Sequence, residues 1–362
     1  MMADHEEVES YLSEVFGKPV QLVRIIPMGA EPGEKELKGF GYGKPYLVDY
    51  ILEGEMRSSV LSSMKVQKGF GHDTFADRAA VILWQNAAFN SLPRHVRSID
   101  AGFFTRHGSL KSAGDADEFF ILMDRVSGIE YYRDLDRIRD ASFFHQLDVD
   151  RALALSDYLV YIHSQKHGDP VLYHRRIRDL VGSGECIMGI IDSYPKDYEF
   201  YREEDFERLE KKCVEWRWKL HGMTHRLCVV HGDFHPWNIM FRNGVDFTVL
   251  DRSRGEYGEP ADDVSCMSMN YLFYSLQKYG ELKGEFKELF DRFLENYLTK
   301  SGDFDVLRCV QPFYVFRALV MASPLWYPGL APDVRRKLFK FIDNVVEVEE
   351  FDYRDVNGYL KG

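Results

Sequence analysis

Residues 229–263, VVHGDFHPWNIMFRNGVDFTVLDRSRGEYGEPADD, place Asp233 between His231 and His235, Asn238 five residues on, and Asp251 at the end of an apolar run. Carboxylates gathered this closely repel one another unless a cation or a proton relieves them. Ile239 to Phe241 and Phe247 to Leu250 are short apolar runs on either side of Asn243-Gly244, a strong hairpin signal. Folding the chain back there brings Asn238 and Asp251 to within a residue or two of register, where cross-strand neighbours lie about 5 Å apart at Cα. An amide oxygen and a carboxylate converging at that separation can share one hard cation. Mg²⁺ suits them, because it takes oxygen ligands at about 2.1 Å and keeps water or phosphate oxygens in its other positions. Asp233 precedes the hairpin and can face whatever the metal presents. A second reading takes His231, Asp233 and His235 as alternating ligands of Zn²⁺ or Fe in a metal-dependent hydrolase, although no second dense His/Asp cluster offers further ligands. The blandest reading makes Asp233 and Asp251 turn caps and the two histidines structural hydrogen-bonders that fix the loop.

Such groups need elements to hold them. The apolar spacing of HEEVESYLSEVFG (5–17) predicts a helix ended by its glycine, and PVQLVRIIP (19–27) reads as a strand. A glycine- and lysine-rich loop, GAEPGEKELKGFGYGK (29–44), leads to two more strands, PYLVDYILE (45–53) and MRSSVLSSMKV (56–66). FADRAAVILWQNAAFNSLP (75–93) predicts a helix stopped at Pro93, HGSLKSAGDADE (107–118) a polar hairpin, and FFILMDRVSG (119–128) a buried strand with Gly128 as a hinge. Beyond it the pattern is helical. DVDRALALSDYLVYIHSQKH (148–167) carries one broad apolar face, EEDFERLEKKCVEWRWKL (203–220) runs from acidic to basic as its dipole favours, and the last hundred residues are helices broken at Gly302, Pro324 and Pro328. The expected class is α+β, with a sheet-rich amino lobe over residues 1–123 and a helix-rich carboxy lobe over 124–362.

Composition narrows the field. With 45% apolar and 14% aromatic residues and no low-complexity tract, the chain is folded rather than disordered. A net charge of −12 disfavours a broad grip on nucleic acid, and basic runs such as HRRIRD (174–179) read as solvated helix faces. Five cysteines, odd in number and never in a C-x-x-C pair, indicate reduced structural thiols. The acidic start MMADHEEVES and the lack of any long apolar window give the expectation of a cytoplasmic protein without a membrane partner.

His231-Gly232-Asp233-x-His235-Pro236-x-Asn238, followed by an apolar hairpin and Asp251, resembles the catalytic loop and metal aspartate of the aminoglycoside phosphotransferase-like kinases, relatives of choline kinases. Glu259-Pro260-x-Asp262-Asp263 is similar to that family's Gly-Asp-Pro-x-x-Asp segment, and Ile162-His163-Ser164 to its habitual helix end. The resemblance implies a protein kinase-like bilobal fold and an ATP-dependent, Mg²⁺-requiring transfer of the γ-phosphoryl group to a hydroxyl of a small molecule. It implies that Asp233 orients or deprotonates the acceptor, that Asn238 and Asp251 hold Mg²⁺, and that Asp263 hydrogen-bonds the catalytic loop. Lys65 would neutralise the α and β phosphates. Its usual glutamate partner is missing, since no glutamate occurs between Glu55 and Glu118, so Asp77, or else Asp73, would take that place. Gly39, Gly41 and Gly43 would cover phosphates, and Met123 to Val126 would border the adenine. A relative that binds nucleotide in a regulatory role without turnover is the alternative.

Two features depart from the family pattern, Trp237 and Arg252-Ser253-Arg254, and both fall near the expected acceptor position. The segment LYHRRIRDLVGSGECIMGIIDSYPKDYEFYREED (172–205) is too long and varied for a plain connector and is expected to form part of the acceptor pocket. Glu256, Glu259, Asp262 and Asp263 add carboxylates near the metal site and favour a cationic acceptor such as an amino sugar or amino alcohol. Arg252 and Arg254 interrupt that acidic field, which leaves an anionic or neutral sugar as the alternative.

Overall fold

Val8, Tyr11 and Leu12 recur at helical spacing, and His5–Phe16 form helix α1, closed by Gly17 in the left-handed conformation (φ 62°). The structure is a computed structural model that describes residues 4–28, 43–66, 68–141 and 143–361, and it divides into two compact units, Met1–Met123 and Asp124–Gly362. In the first unit, β1 (Val20–Pro27), β2 (Gly43–Leu52) and β3 (Glu55–Met64) form an antiparallel sheet in the order β1-β2-β3. The β2–β3 turn places Glu53 and Gly54 both at positive φ, which matches the twist of the strands it joins. Burial of the α1 stripe against Val20, Leu22, Val48, Tyr50 and Leu52 makes this unit's core. Helix α2 (Phe75–Ser91) follows, then a hairpin of β4 (Gly102–Phe104) and β5 (Leu110–Ser112). Tyr11 donates to Asp100 at 2.5 Å and fastens α1 to the chain entering that hairpin.

One expectation is corrected here. Residues 119–127 are not a buried strand: among the described residues they pair with no strand, and Phe120, Ile121 and Leu122 are 93%, 78% and 92% exposed. Apolar content alone does not make a strand, because the backbone donors and acceptors also need a neighbouring strand to pair with. Gly128 sits at φ 152°, and a Cβ there would lie 2.7 Å from the Phe241 carbonyl oxygen, so the glycine permits the close approach of the strand that begins at the next residue.

That strand, β6 (Ile129–Glu130), opens the second unit and is followed by helices α3 (Tyr131–Ala141), α4 (Gln146–His163), α5 (Pro170–Gly182), α6 (Ile187–Asp192) and α7 (Glu203–Leu220). Four short strands come next: β7 (Cys228–Val229), β8 (Ile239–Phe241), β9 (Phe247–Val249) and β10 (Tyr257–Gly258). They pair as β6-β8-β9 and β10-β7, all antiparallel. Helices α8 (Pro260–Tyr279), α9 (Gly284–Ser301), α10 (Gln311–Ala322) and α11 (Pro332–Val345) complete the unit. Sixteen of the twenty residues of α8 are buried, so this helix is covered on every side and forms the centre of the core. Its first turn carries Asp262 and Asp263, where the helix dipole favours negative charge. No helix among the described residues is long and apolar enough to cross a membrane.

Candidate active site

The β8–β9 hairpin sets the first pair of groups. Ile239 faces Val249, Met240 faces Thr248 and Phe241 faces Phe247. Extending the ladder one step brings Asn238 opposite Leu250, whose N–H donates to the Asn238 carbonyl at 2.8 Å, so Asp251 stands one residue beyond Asn238's partner. The Asn238 amide donates to the Asp233 carbonyl at 3.1 Å, which leaves its side-chain oxygen as the unengaged end. Asp251 is exposed and holds φ 52°, a left-handed conformation unusual for a residue with a side chain and one that clusters at functional sites. One amide oxygen and one carboxylate are ligands of the kind Mg²⁺ takes from a protein.

The loop before the hairpin is held from behind by α8. Asp263 accepts from the backbone N–H of His231 and of Gly232, each at 2.7 Å. Its carboxylate is oriented in turn by His163 Nε2 at 3.1 Å, and His163 Nδ1 meets the Tyr297 hydroxyl at 2.9 Å. Burial raises the Asp263 pKa, but the His163 hydrogen bond and the His231 amide outweigh it, so the group is held below its ordinary range. Gly232 has φ 86°, and a Cβ there would press on Arg254 Cβ at 3.2 Å. Both histidines of the motif serve the loop. His231 Nδ1 accepts from Asp233 N–H at 3.3 Å and His235 Nδ1 from Trp237 N–H at 3.2 Å, which puts each ring proton on Nε2. Neither Nε2 then has a lone pair for a metal, and no group of three or more His, Cys, Asp or Glu side chains converges as a metal site among the described residues. The hydrolase reading lacks its ligands.

Asp233 is placed by a residue far away in sequence. Arg317, buried on α10, donates to the Asp233 carboxylate at 2.5 Å, to the Gly232 carbonyl at 3.0 Å and to Asp262 at 2.6 Å. Burial works to protonate Asp233. The hydrogen bond from His235, at 3.4 Å, and the charge of Arg317 prevail and hold it well below the usual carboxylate range. Asp262 shares the same guanidinium and moves the other way, pushed up by burial against Arg317. The two carboxylates thus divide, one firmly ionised and one more easily protonated.

Arg317→Met would keep the bulk and delete the charge, stranding two carboxylates that are each less than one-fifth exposed. The expected cost at pH 7 is about 3–5 kcal/mol. Without the arginine the folded-state pKa values of Asp233 and Asp262 rise, and a raised folded pKa stabilises the folded state as pH falls. The gap between wild type and variant should therefore narrow from pH 7 to about pH 4, as read by urea denaturation. A gap that widens on acidification would contradict this account of the pair.

The amino-terminal candidates lie as follows. Lys65 comes immediately after β3 and is exposed. Asp77 occupies the third position of α2 and closes a capping box, its carboxylate accepting from Thr74 N–H at 2.8 Å while its own N–H donates to Thr74 Oγ1 at 3.1 Å. Gly43 opens β2 opposite Met64. Gly39 and Gly41 lie outside the described residues. Met123 is 70% exposed and Val126 half-buried, both in irregular chain.

Sequence reasoning missed Arg317 altogether, because it sits inside the apolar run PFYVFRALVMA with no local signal of its partners. Much of the acidic surplus is structural. Glu259 is fully buried, gripped by Arg226 Nε and Nη2 at 2.7–3.1 Å and by the Tyr173 hydroxyl at 2.9 Å, while Asp303 binds the same arginine. With Asp262 on Arg317 and Asp263 on the loop amides, three of the four carboxylates behind the cationic expectation are engaged internally, and only Glu256 is exposed. Segment 172–205 folds as α5, α6 and the chain into α7. Its Arg176 donates to the Tyr257 carbonyl at 2.8 Å and its Tyr194 hydroxyl to the Leu319 carbonyl at 2.7 Å, which ties this segment to the chain after Asp251 and to α10, the helix that bears Arg317. All five cysteines are unpaired and buried.

Comparison with known proteins gives the setting. No curated protein matches this chain. Among solved structures it is similar to the amicoumacin kinase hAmiN in complex with AMP-PNP, Ca²⁺ and Ami, at 14% identity over 91% of each chain with a TM-score of 0.41. It is similar to a glucosamine kinase at 13% identity over 94% of this chain and 91% of that one, with a TM-score of 0.36. The choline kinase LicA from Streptococcus pneumoniae follows at 10% identity over 95% and 99%, with a TM-score of 0.34. The model of the phosphotransferase enzyme family, APH, matches residues 107–309, a stretch that contains the Asp233 loop, the hairpin and the α8 acids. That match spans more than half of the 362 residues, and the chain, with its α+β fold, belongs to the APH phosphotransferase family.

Proposed function

We propose that this protein transfers the γ-phosphoryl group of ATP, with Mg²⁺, to a hydroxyl group of a small molecule. The observation that carries the reading is the Asp233 carboxylate, kept ionised on a loop anchored by Asp263 and Arg317 and leading directly into the hairpin that bears Asn238 and Asp251. Asn238 and Asp251 would hold Mg²⁺, which when bound neutralises charge on the nucleotide phosphates. Asp233 accepts the acceptor's O–H and aims its oxygen at the γ-phosphorus. The new O–P bond forms as the bond to the bridging oxygen breaks, ADP leaves, and the proton passes to Asp233 and on to solvent. A carboxylate held this far below its ordinary pKa is a weak base, which suits a loose phosphoryl transition state in which positioning and charge matter more than early deprotonation.

We assign Lys65 to the α and β phosphates with Asp77 as its orienting partner, Gly39, Gly41 and Gly43 to covering the phosphates, and Met123 and Val126 to bordering the adenine, all on the family motif. Asp77 meanwhile caps α2, so its orienting role would be shared with a structural one.

The test is ADP release from Mg·ATP across hydroxylated metabolites and aminoglycosides. Acceptor-dependent release that stops on chelation with EDTA and returns with Mg²⁺ is expected; release indifferent to both acceptor and metal would refute the reading.

A further inference from the structure

Among the described residues, Arg254 is the cation that pairs with Asp233 besides Arg317, and it differs from Arg317 in being accessible. Its side chain is 26% exposed, and one guanidinium nitrogen lies 4.0 Å from Asp233 Oδ1. The guanidinium rests on the Phe316 ring, 4.8 Å from its centroid. Arg317 sits on the same ring at the same distance, with its donors already on Asp233, Gly232 and Asp262. Arg254 makes no hydrogen bond among the described residues. A planar fork of donors, braced on an aromatic face and engaged only by a long 4.0 Å ion pair to Asp233, is suited to a carboxylate or phosphate group.

Its position relative to the reaction makes that fork meaningful. An acceptor hydroxyl bound to Asp233 comes within about 3 Å of the carboxylate. Substituents two or three bonds from that hydroxyl then fall beside a guanidinium only 4.0 Å from the same carboxylate. A cationic substituent there would meet Arg254, and the Asp233 carboxylate beside it is already countered by Arg317, while Glu259 and Asp262 are held by Arg226 and Arg317 and Asp263 by the loop amides. Exposed Glu256 is on the same loop, but its backbone carbonyl is covered by the Arg252 guanidinium at 2.7 Å, which adds a further cation to that side.

We infer that the acceptor is a hydroxylated acid, carrying a carboxylate or a phosphate ester within two or three bonds of the reacting hydroxyl, and that Arg254 binds this anionic group. The inference rests on the phosphotransferase reading of Asp233 and gives it a substrate class. Arg254 is then a specificity residue, while Asp233 handles the hydroxyl.

The test uses matched acceptors that differ only in charge: gluconate, glucose and glucosamine; glycerate, glycerol and 2-aminopropane-1,3-diol; with glucose 6-phosphate and glycerol 3-phosphate as the phosphate arm. Binding of Mg·ATP is measured in parallel on the same full-length protein. At least one acid or phosphate ester should exceed its neutral and amine congeners by about tenfold or more in kcat/KM. Arg254→Gln should collapse that preference, mainly through KM, and Arg254→Lys should keep part of it. The carboxylate and phosphate arms decide which anion is used. Turnover that prefers amines, that ignores charge, or that no acid elicits although Mg·ATP binds overturns the inference and leaves the phosphotransferase reading standing. Equal losses for charged and neutral acceptors in Arg254→Gln also overturn it, placing the arginine on the transferred phosphoryl group. Failure to bind or consume Mg·ATP at all defeats the underlying reading, and the inference with it.

Discussion

Replacing Asp233 with asparagine is expected to lower turnover about 10²–10⁴-fold while leaving Mg·ATP affinity nearly unchanged, whereas Asp251→Asn is expected to weaken Mg·ATP binding itself. The separation follows from position. Asp233 lies on the loop ahead of the hairpin with its carboxylate on Arg317 and His235, while Asp251 stands at the hairpin's far end beside Asn238's partner Leu250. Asparagine at 233 keeps an oxygen for Arg317 to bind, so the loop geometry survives and the loss falls on the acceptor step. At 251 the change removes the full negative charge of this pair's only carboxylate and leaves two neutral amides to meet the cation. Nucleotide titrations with and without Mg²⁺, together with single-turnover rates, distinguish the two. Full activity in Asp233→Asn would sink the assignment, and a melting temperature that fell with the rate would point to loop collapse rather than lost chemistry.

Local patterns were legible in the sequence because their causes are local. The acidic-to-basic run at 203–220 became α7 with its bounds unchanged, Gly17 ended α1, and Asn243-Gly244 set a hairpin whose register leaves Asn238 and Asp251 one residue out of opposition. The backing of the loop by Asp263 was readable only through family resemblance, since the His231–Asp263 contact spans 32 positions. What stayed hidden was pairing across distance. Arg317 meets Asp233 from 84 residues away, and Arg226 meets Glu259 and Asp303 from 33 and 77. A residue list shows that Glu259 and Asp262 are acidic but not that each is already bound to an arginine, and so it overstated the charge left for a ligand. The run 119–127 failed for the opposite reason: its apolarity was visible, but the missing neighbouring strand was not.

The second large effect is expected at Asp263, where stability and chemistry meet. Its side chain is fully buried and accepts three hydrogen bonds, from His163 Nε2 and from the His231 and Gly232 amides. Asparagine can offer one oxygen, so at least one amide N–H would face an NH₂ group, leaving donors opposed in a dry site. A loss of about 3–5 kcal/mol in unfolding free energy is the expected scale for breaking one side of a buried charged network. Because the folded pKa of Asp263 lies below its ordinary value, the wild-type contribution is present above about pH 4 and is lost as pH falls through the folded value, so Asp263→Asn should cost less in acid than at pH 7. Turnover should fall as well, since releasing the Gly232 amide frees the turn that carries Asp233, and Mg·ATP affinity should fall far less because Asn238 and Asp251 belong to the hairpin. His163→Gln provides the control: it loosens Asp263 without removing the carboxylate, so it should lower stability by less and preserve most of the rate. Denaturation at two pH values together with turnover decides the matter, and an Asp263→Asn variant that is less stable yet fully active would show that the anchor serves the fold alone.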